Sequence, residues 1–206
     1  MTSSISEKPI VYVVDDDDSL RKAITRLLRA AGYDVRAYAS AGDFVLATRD
    51  NTRRGCVLLD IRMPGPSGLD LQEALAKEEE PLPVIFLTAY GDVQTSVSAM
   101  KAGAVDFLTK PIKREVLLSA VRTALARDLL SHTSREQLRE LRVRFAKLTP
   151  REREVFDLVV SGRLNKQIAA ELGMAERTVK AHRGQVMAKM QVTSLAELVH
   201  LADKMQ

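Results

Sequence analysis

The stretch Val11–Asp18 reads Val-Tyr-Val-Val-Asp-Asp-Asp-Asp, so a short apolar run ends abruptly in four carboxylates. The apolar part predicts a buried β-strand. Four adjacent negative charges repel one another unless a cation lies among them, and a hard divalent cation is the usual partner of carboxylate oxygens. This stretch alone would equally suit a solvated acidic loop that caps the following helix, because Asp is a good helix N-cap.

The composition of the 206-residue chain is that of a globular protein, with 46% hydrophobic and 28% charged residues and room for one large or two modest domains. The single cysteine, Cys56, excludes an intramolecular disulfide, fits a reducing compartment and is expected to be a small core residue. The N-terminus lacks the apolar core of a signal peptide, and no apolar run is long enough to cross a bilayer. We therefore expect a soluble, cytoplasmic protein without a membrane partner.

The net charge of +4 is unevenly distributed along the chain. Residues 1–125 contain 16 Lys and Arg against 17 Asp and Glu, a balance of −1. Residues 126–145 carry 5 against 3, and residues 146–206 carry 10 against 7. The basic excess therefore lies in the last third, where it indicates an anionic partner.

Up to about residue 122, short apolar runs alternate with helical patterns. Most of the runs are apolar almost throughout, as expected for strands buried on both faces. Five strand–helix repeats predict a parallel sheet with helices on both sides and functional groups at the carboxyl ends of the strands. The predicted strands are Pro9–Val14, Asp34–Tyr38, Gly55–Leu59, Pro83–Leu87 and Val105–Leu108, and the predicted helices cover residues 19–31, 41–48, 68–79, 92–102 and 113–125.

After residue 145 the strand pattern disappears, and four short helices predict a small all-α domain. The segment Thr149–Glu152 combines a cap, a proline at the first helical position and a Glu at the third. Residues 123–146 predict a helical linker between two domains, 9–122 and 147–206. The helices are expected to run from this first cap to about Ser161, from Lys166 to Leu172 after a cap at Asn165, from about Glu176 to Met190, and onward from a capping box at Ser194–Glu197.

Four predicted strands end in reactive side chains, and the carboxyl ends of parallel strands lie at one edge of a sheet. Three carboxylates, a hydroxyl and an ammonium suit phosphoryl chemistry, in which carboxylates hold Mg²⁺, one carboxylate attacks phosphorus, and the other groups neutralise the transferred oxygens. Each residue alone also has a structural explanation, as a turn cap, a strand residue or a solvated lysine. The residues are Asp15, Asp16, Asp60, Thr88 and Lys110.

Residues 9–122 resemble a response-regulator receiver domain, which has a flavodoxin-like α/β fold with a parallel sheet of order 2-1-3-4-5. The resemblance rests on the segments Val14–Asp16, Leu59–Gly65, Leu87–Ala89 and Asp106–Pro111. It implies that Asp60 accepts a phosphoryl group from a phosphohistidine on a sensor histidine kinase. It also implies that Asp16, Asp60 and the backbone carbonyl of Arg62 ligate Mg²⁺ directly, while Asp15 contributes through water.

The same resemblance assigns Thr88 and Lys110 to the new phosphate and Phe107 to an aromatic switch that turns inward as Thr88 moves. The peptide bond that follows Lys110 is expected to be cis. Phosphorylation adds about two negative charges to Asp60. It should therefore bias a loop and helix near residues 88–112 toward an active packing, and Asp92–Lys113 is the candidate signalling and dimer face.

The third C-terminal helix carries the pattern of a DNA-reading helix, because Leu172–Ala175 before it predicts the turn of a helix-turn-helix. On a helical wheel its core side contains Val179, Val186 and Met190. The opposite face has a small centre flanked by long polar side chains, which would let the helix enter a major groove. An ordinary solvated face is the alternative. The residues of this face are Arg177, Ala181, Gly184 and Ala188, flanked by Lys180 and Gln185.

Residues 147–203 resemble the LuxR/FixJ-type DNA-binding domain through the segments Leu148–Val155, Asn165–Ala169 and Thr178–Arg183. The resemblance implies contacts to base edges from Lys180, Ala181 and Gly184. It implies contacts mostly to phosphates, which position the protein without specifying sequence, from Lys166, Arg177, His182 and Arg183.

The last helix and the start of the third complete this resemblance. A stripe on the last helix is implied to form the dimer contact on DNA, through Leu198, Leu201 and Met205. Ala175 departs from the family, which commonly places a capping Ser at this position. Loss of a cap typically costs about 1 kcal/mol, so the ordering of the helix should depend more on DNA.

Together the two resemblances predict a two-component transcriptional regulator of the FixJ/NarL class and not an enzyme. Phosphorylation should promote homodimerisation and binding to paired half-sites on double-stranded promoter DNA, with RNA polymerase as a further candidate partner. Two alternatives stay open. A haloacid-dehalogenase-type phosphatase would use Asp15 as nucleophile and Asp17 as acid. A phosphorylation-independent DNA-binding or scaffold protein would carry an idle receiver domain.

Overall fold

The chain forms two compact units, Met1–His132 and Thr133–Gln206. The computed structural model describes residues 8–48, 53–88, 100 and 103–205. Among these residues, no helix combines the length and the apolar character needed to cross a membrane.

The first unit is built on five strands, and each begins and ends within one residue of its predicted position. They are β1 (Ile10–Val14), β2 (Asp34–Tyr38), β3 (Gly55–Asp60), β4 (Val84–Thr88) and β5 (Asp106–Thr109). All neighbouring strands are parallel, and their order in the sheet is β2-β1-β3-β4-β5. The predicted flavodoxin-like α/β fold is therefore confirmed.

Four helices follow these strands among the described residues. They are α1 (Asp18–Ala30), α2 (Ala41–Thr48), α3 (Gly68–Ala76) and α4 (Arg114–Ala146). The helix predicted at 92–102 lies outside the described residues, except for residue 100, which is helical. The residues predicted as the last receiver helix and as the linker form one continuous helix, α4, and the two units divide within it. The domain boundaries at 122 and 146 stay a prediction.

A buried ion pair helps to explain why the first unit extends along α4 beyond residue 122. The side chain of Asp128 is 3% exposed, and its Oδ2 lies 3.4 Å from Nη2 of Arg54, which directly precedes β3. Burial raises the pKa of Asp128, although the guanidinium of Arg54 opposes the rise. This part of α4 is therefore joined to the first unit by the ion pair.

Successive residues of a strand point to opposite sides of the sheet. Because both sets of residues are buried, an apolar core covers each face. Tyr12 and Phe44 belong to the core on one face and meet edge to face, with ring centroids 5.5 Å apart. Leu58 and Leu117 belong to the core on the other face. This second core also contains Cys56, which is fully buried, and burial raises the pKa of its thiol to about 12. The predicted core role of the cysteine is confirmed.

In the second unit, the end of α4 and four further helices surround one core in the part of the chain that the structure describes. The four further helices are α5 (Pro150–Val160), α6 (Asn165–Leu172), α7 (Glu176–Met190) and α8 (Leu195–Asp203). The core includes Val179, Val186 and Met190 from α7, none of which is more than 1% exposed. The predicted core side of this helix is therefore confirmed.

The predicted cap is present at the start of α5 and differs at the start of α6. The predicted Thr149–Glu152 capping box is present, with Pro150 in the first helical turn. The predicted cap at Asn165 is wrong, because Leu164 takes the N-cap position and donates its N–H to the Gln167 side chain. Asn165 is the first helical residue, and its Oδ1 accepts a hydrogen bond from Arg183 Nη1 at 2.7 Å.

The start of α8 also differs in one half of its predicted capping box. Ser194 Oγ accepts the N–H of Glu197, as predicted. The Glu197 carboxylate, however, accepts the N–H of Thr193 at 2.8 Å, one residue before the cap. The carboxylate therefore holds the chain entering the helix.

The structure corrects the predicted dimer contact of α8 at Leu198. Leu198 is fully buried in the core of the second unit, and Leu201 and Met205 pack against the same core. Leu198 is therefore not exposed for a dimer contact. Leu201 and Met205 are half-buried, so a dimer contact by this helix stays a prediction.

Candidate functional site

Three carboxylates meet at the carboxyl edge of the sheet. Asp15 directly follows β1 and Asp60 ends β3, and the pairing of Val14 with Leu59 aligns these strand ends. Ligand oxygens of Asp15, Asp16 and Asp60 all lie within 4.8 Å of one another. Asp15 and Asp60 are buried, whereas Asp16 is exposed. Hard divalent cations such as Mg²⁺ take carboxylate oxygens, so the donor set fits the predicted ion.

Lys110 bridges two of these carboxylates across long stretches of sequence. Its Nζ lies 2.7 Å from Asp60 Oδ1 and 2.9 Å from Asp15 Oδ2. Its backbone N–H donates to the carbonyl of Thr88 at 2.8 Å, which extends the pairing of β4 with β5, and the peptide bond after Lys110 is cis as predicted. The sheet therefore directs this ammonium into the acidic cluster.

The charges in this cluster oppose one another. Burial raises the pKa of Asp60, and the carboxylates of Asp15 and Asp16 add to the rise, although the Lys110 ammonium counteracts it. Burial lowers the pKa of Lys110, but its hydrogen bonds to Asp60 and Asp15 outweigh this effect and raise the pKa overall. The site therefore holds a protonated lysine beside a carboxylate that is costly to ionise, which is an environment that a divalent cation would relieve.

Thr88 and Phe107 lie on the strands beside this cluster. Thr88 ends β4 and is buried, with Thr109 as its partner across the β4–β5 pair. Phe107, the predicted aromatic switch, is 39% exposed, so its ring lies at the surface and outside the core. The region predicted to respond to phosphorylation, Asp92–Lys113, is described at residue 100 and from residue 103 onward.

Arg62 and Asp17 take part in backbone hydrogen bonds beside the site. The N–H of Arg62 donates to Asp60 Oδ2 at 3.2 Å, and its carbonyl remains the predicted metal ligand. Asp17 is the N-cap of α1, and its carboxylate accepts the N–H groups of Ser19 and Leu20. The acid assigned to Asp17 in the phosphatase alternative is thus occupied in capping a helix.

Two residues of the site were missed at the sequence level. Gly68 begins α3 so close to β3 that a Cβ there would lie 2.2 Å from the carbonyl oxygen of Asp60. Arg21 donates from Nη1 to the carbonyls of Asp15 and Asp16. Glycine in a turn-rich segment and Arg three residues after Asp are common features, so neither signal pointed to this site.

The predicted DNA-reading face of α7 is exposed. Arg177, Lys180, Ala181 and Gly184 are exposed on this helix, as is Lys166 on α6. His182 and Arg183 are half-buried, and Arg183 is the residue that bonds Asn165. Ala175 takes the N-cap position without a side-chain hydrogen bond. The helix thus presents a surface with a small centre and basic edges.

Comparison with known proteins identifies both units. The model of the response regulator receiver domain matches residues 11–122, and that of the luxR family of bacterial regulatory proteins matches residues 146–202. Nodulation protein W of Bradyrhizobium diazoefficiens is 46% identical over 198 residues, covering 96% of this chain and 87% of that protein. Transcriptional regulatory protein FixJ of Azorhizobium caulinodans is 42% identical, covering 93% of this chain and 90% of that protein.

Solved structures agree with this assignment. The structure of the response regulator StyR has a TM-score of 0.84 and 46% identity, covering 96% of this chain and 99% of that one. Full-length FixJ from B. japonicum has a TM-score of 0.59 and 37% identity, covering 96% and 97%. The chain therefore belongs to the two-component response regulators in which a receiver domain is joined to a LuxR-type DNA-binding domain.

Proposed function

We propose that a sensor histidine kinase phosphorylates Asp60 of this transcription regulator in the presence of Mg²⁺, and that the phosphorylated protein dimerises and binds promoter DNA. The observation that carries the proposal is the convergence of Asp15, Asp16 and Lys110 on Asp60 at one edge of the sheet. A family of phosphorylation-regulated transcription factors supplies the context.

The phosphoryl transfer needs a nucleophile and groups that balance the charge. A carboxylate oxygen of Asp60 forms a bond to phosphorus while the bond from phosphorus to the donor imidazole breaks, which leaves an acyl phosphate and a neutral histidine. Asp16, Asp60 and the carbonyl of Arg62, with Asp15 acting through water, would hold Mg²⁺, which would supply positive charge for the transferred oxygens. The ammonium of Lys110 already contacts Asp60, so it is positioned to pair with the phosphate.

The negative charge of the phosphate on Asp60 causes the proposed conformational response in the rest of the chain. The Thr88 hydroxyl and the Lys110 ammonium bond the phosphate, and Phe107 turns inward into the space that Thr88 leaves. Paired copies of α7 then enter successive major grooves. Lys180, Ala181 and Gly184 face the base edges, and the phosphates are contacted by Lys166, Arg177, His182 and Arg183.

The experiment that tests the proposal compares the wild-type chain with D60N and with D43N, an exposed carboxylate on α2 that serves as the matched control. Each is incubated with acetyl phosphate and Mg²⁺, and intact mass, oligomeric state and footprint on its own upstream DNA are measured. Wild type and D43N should gain one phosphoryl group, form a dimer and protect paired half-sites. D60N should do none of these.

Two outcomes would contradict the proposal. Reductive trapping of the acyl phosphate on Asp15 instead of Asp60 would favour the phosphatase alternative. Equal DNA protection with and without phosphorylation would favour the alternative in which the receiver domain is idle.

A further inference from the structure

A guanidinium holds the backbone of the loop that carries the metal-site carboxylates. Nη1 of Arg21, in the first turn of α1, donates to the carbonyl oxygen of Asp15 at 2.7 Å and to that of Asp16 at 3.3 Å. Nη2 pairs with Asp18 Oδ1 at 2.7 Å, and the Arg21 side chain is 15% exposed. One planar side chain therefore ties together three of the four consecutive aspartates.

Other groups bond the carboxylates of Asp15 and Asp17, whereas Arg21 bonds backbone carbonyls of this loop. The two carboxylate oxygens of Asp15 accept the N–H of Asp17 and the ammonium of Lys110. Asp17 uses its own carboxylate to cap α1. The side chain of Asp16 is exposed, so its direction depends on the backbone that Arg21 holds. Unlike Lys110, Arg21 bonds the backbone carbonyls of Asp15 and Asp16 and makes no hydrogen bond to their carboxylates.

We propose that Arg21 is a positioning residue for the divalent cation, because it sets the spacing of the Asp15 and Asp16 carboxylates through their backbone carbonyls. The inference rests on the proposed Mg²⁺ site. Mg²⁺ demands near-ideal octahedral oxygen geometry, so its affinity is sensitive to small displacements of its ligands. Four adjacent carboxylates repel one another, and the loop would spread if the guanidinium were removed. Mutation of a group that orients metal ligands typically lowers the affinity for the metal by roughly 10–100-fold.

The sign of the effect separates this role from a simple charge effect. A guanidinium near a cation site repels the incoming ion, so its removal should tighten Mg²⁺ binding if charge alone matters. Removal should weaken Mg²⁺ binding if Arg21 positions the ligands. R21K keeps the charge but replaces the rigid planar fork by a single ammonium, so it isolates the geometric contribution.

The experiment titrates Mg²⁺ alone, without a phosphodonor, into the full-length protein by isothermal titration calorimetry. R21M should weaken Mg²⁺ binding about tenfold, and R21K should weaken it severalfold. R26M should bind like wild type, because Arg26 is exposed on the same helix one turn further along. At saturating Mg²⁺, phosphoryl uptake by R21M from acetyl phosphate should return to the wild-type rate, which a general folding defect would not allow.

Three results would overturn the inference or its foundation, and they are distinguishable. If R21M binds Mg²⁺ as tightly as wild type, or more tightly, the positioning role of Arg21 is excluded. The proposed function is not affected by that result. If circular dichroism shows that R21M is unfolded, R21K decides, and wild-type affinity in R21K excludes the role. Wild-type protein that binds Mg²⁺ no better than D60N would remove the metal site itself.

Discussion

Asp60 is the residue at which burial and charge conflict most directly. It is 5% exposed, and its pKa is raised by burial and by Asp15 and Asp16 against the influence of Lys110. A raised pKa means that the folded, metal-free protein binds the proton more tightly than the unfolded chain does. The contribution of Asp60 to stability is therefore fully present at low pH, below the ordinary pKa of 3.8, and is lost as pH rises through the folded pKa.

We expect D60N to stabilise the metal-free protein at neutral pH, because the amide is not ionised and Lys110 retains Asp15 as a partner. The rise in melting temperature should be on the order of 2–4 °C in EDTA, measured by calorimetry. Added Mg²⁺ should stabilise wild type and D43N and leave D60N largely unchanged. A lower melting temperature of D60N in EDTA would show that the Lys110 pair outweighs the cost of burial.

Gly184 lies inside α7, and a Cβ built there meets nothing within 4 Å, so packing in the free protein does not require glycine. G184A should stabilise the second unit by about 1 kcal/mol, as measured by chemical unfolding. The methyl group would stand on the face proposed to approach base edges, so DNA affinity should fall.

The control for G184A is A175S, which should stabilise the same helix without adding a group to the centre of that face. If G184A raises stability and leaves DNA affinity unchanged, this face is an ordinary solvated helix surface.

At the scale of elements, the starts of α5 and α7 form a contrast. Thr149 and Glu152 cap α5 reciprocally, whereas Ala175 offers no side-chain acceptor to the first N–H groups of α7. A175S should stabilise the second unit by about 1 kcal/mol in chemical unfolding. The control is A170S, an exposed position inside α6, where Ser should be neutral or mildly destabilising because it has a lower helix propensity. Equal effects of the two substitutions would contradict a capping role.

Glu152 joins α5 to the far end of α7. Its two carboxylate oxygens accept hydrogen bonds from Lys189 Nζ at 2.8 and 2.6 Å, and it also accepts the N–H of Thr149. The Lys189 ammonium is the main cause that lowers the pKa of Glu152. Because the folded pKa is lowered, the stabilisation is present above the ordinary value of 4.5 and is lost as pH falls through the folded pKa.

E152Q should therefore destabilise the second unit by about 1–2 kcal/mol at pH 7, since it weakens hydrogen bonds to a charged group. The difference from wild type should shrink as the pH is lowered past 4.5, which thermal unfolding across a pH series would measure. E154Q is the matched control, because Glu154 forms an exposed pair with Arg151 that should contribute little. A pH-independent effect of E152Q would point to packing as the cause.

At the scale of the whole molecule, the two units hold separate cores. The cores of the first unit enclose the sheet, that of the second begins with Leu141, and the division falls inside α4. We expect two unfolding transitions by calorimetry, because the two units share no core residue among those that the structure describes. D60N should shift the transition of the first unit and A175S that of the second. One transition that both substitutions shift equally would show that α4 couples the two units.

Local sequence patterns were sufficient to predict the elements and the family. Apolar runs such as Val11–Val14 and local signals such as the Thr149–Glu152 box depend on neighbours within a few residues, so strand ends and most helix ends were predicted within one or two positions. Placing Asp15, Asp60 and Lys110 at one edge required only the rule that parallel strands end together, with the motifs that resemble a receiver domain.

Contacts between groups that are far apart along the chain became visible only in the folded structure. Lys110 contacts Asp15 over 95 residues and Asp60 over 50, and Gly68 is needed because α3 begins against the backbone of Asp60. Leu198 is buried although the family resemblance implied a dimer contact there, since helical spacing marks an apolar side without stating what covers it. These contacts depend on how the elements pack, and packing is a property of the whole fold that no local pattern encodes.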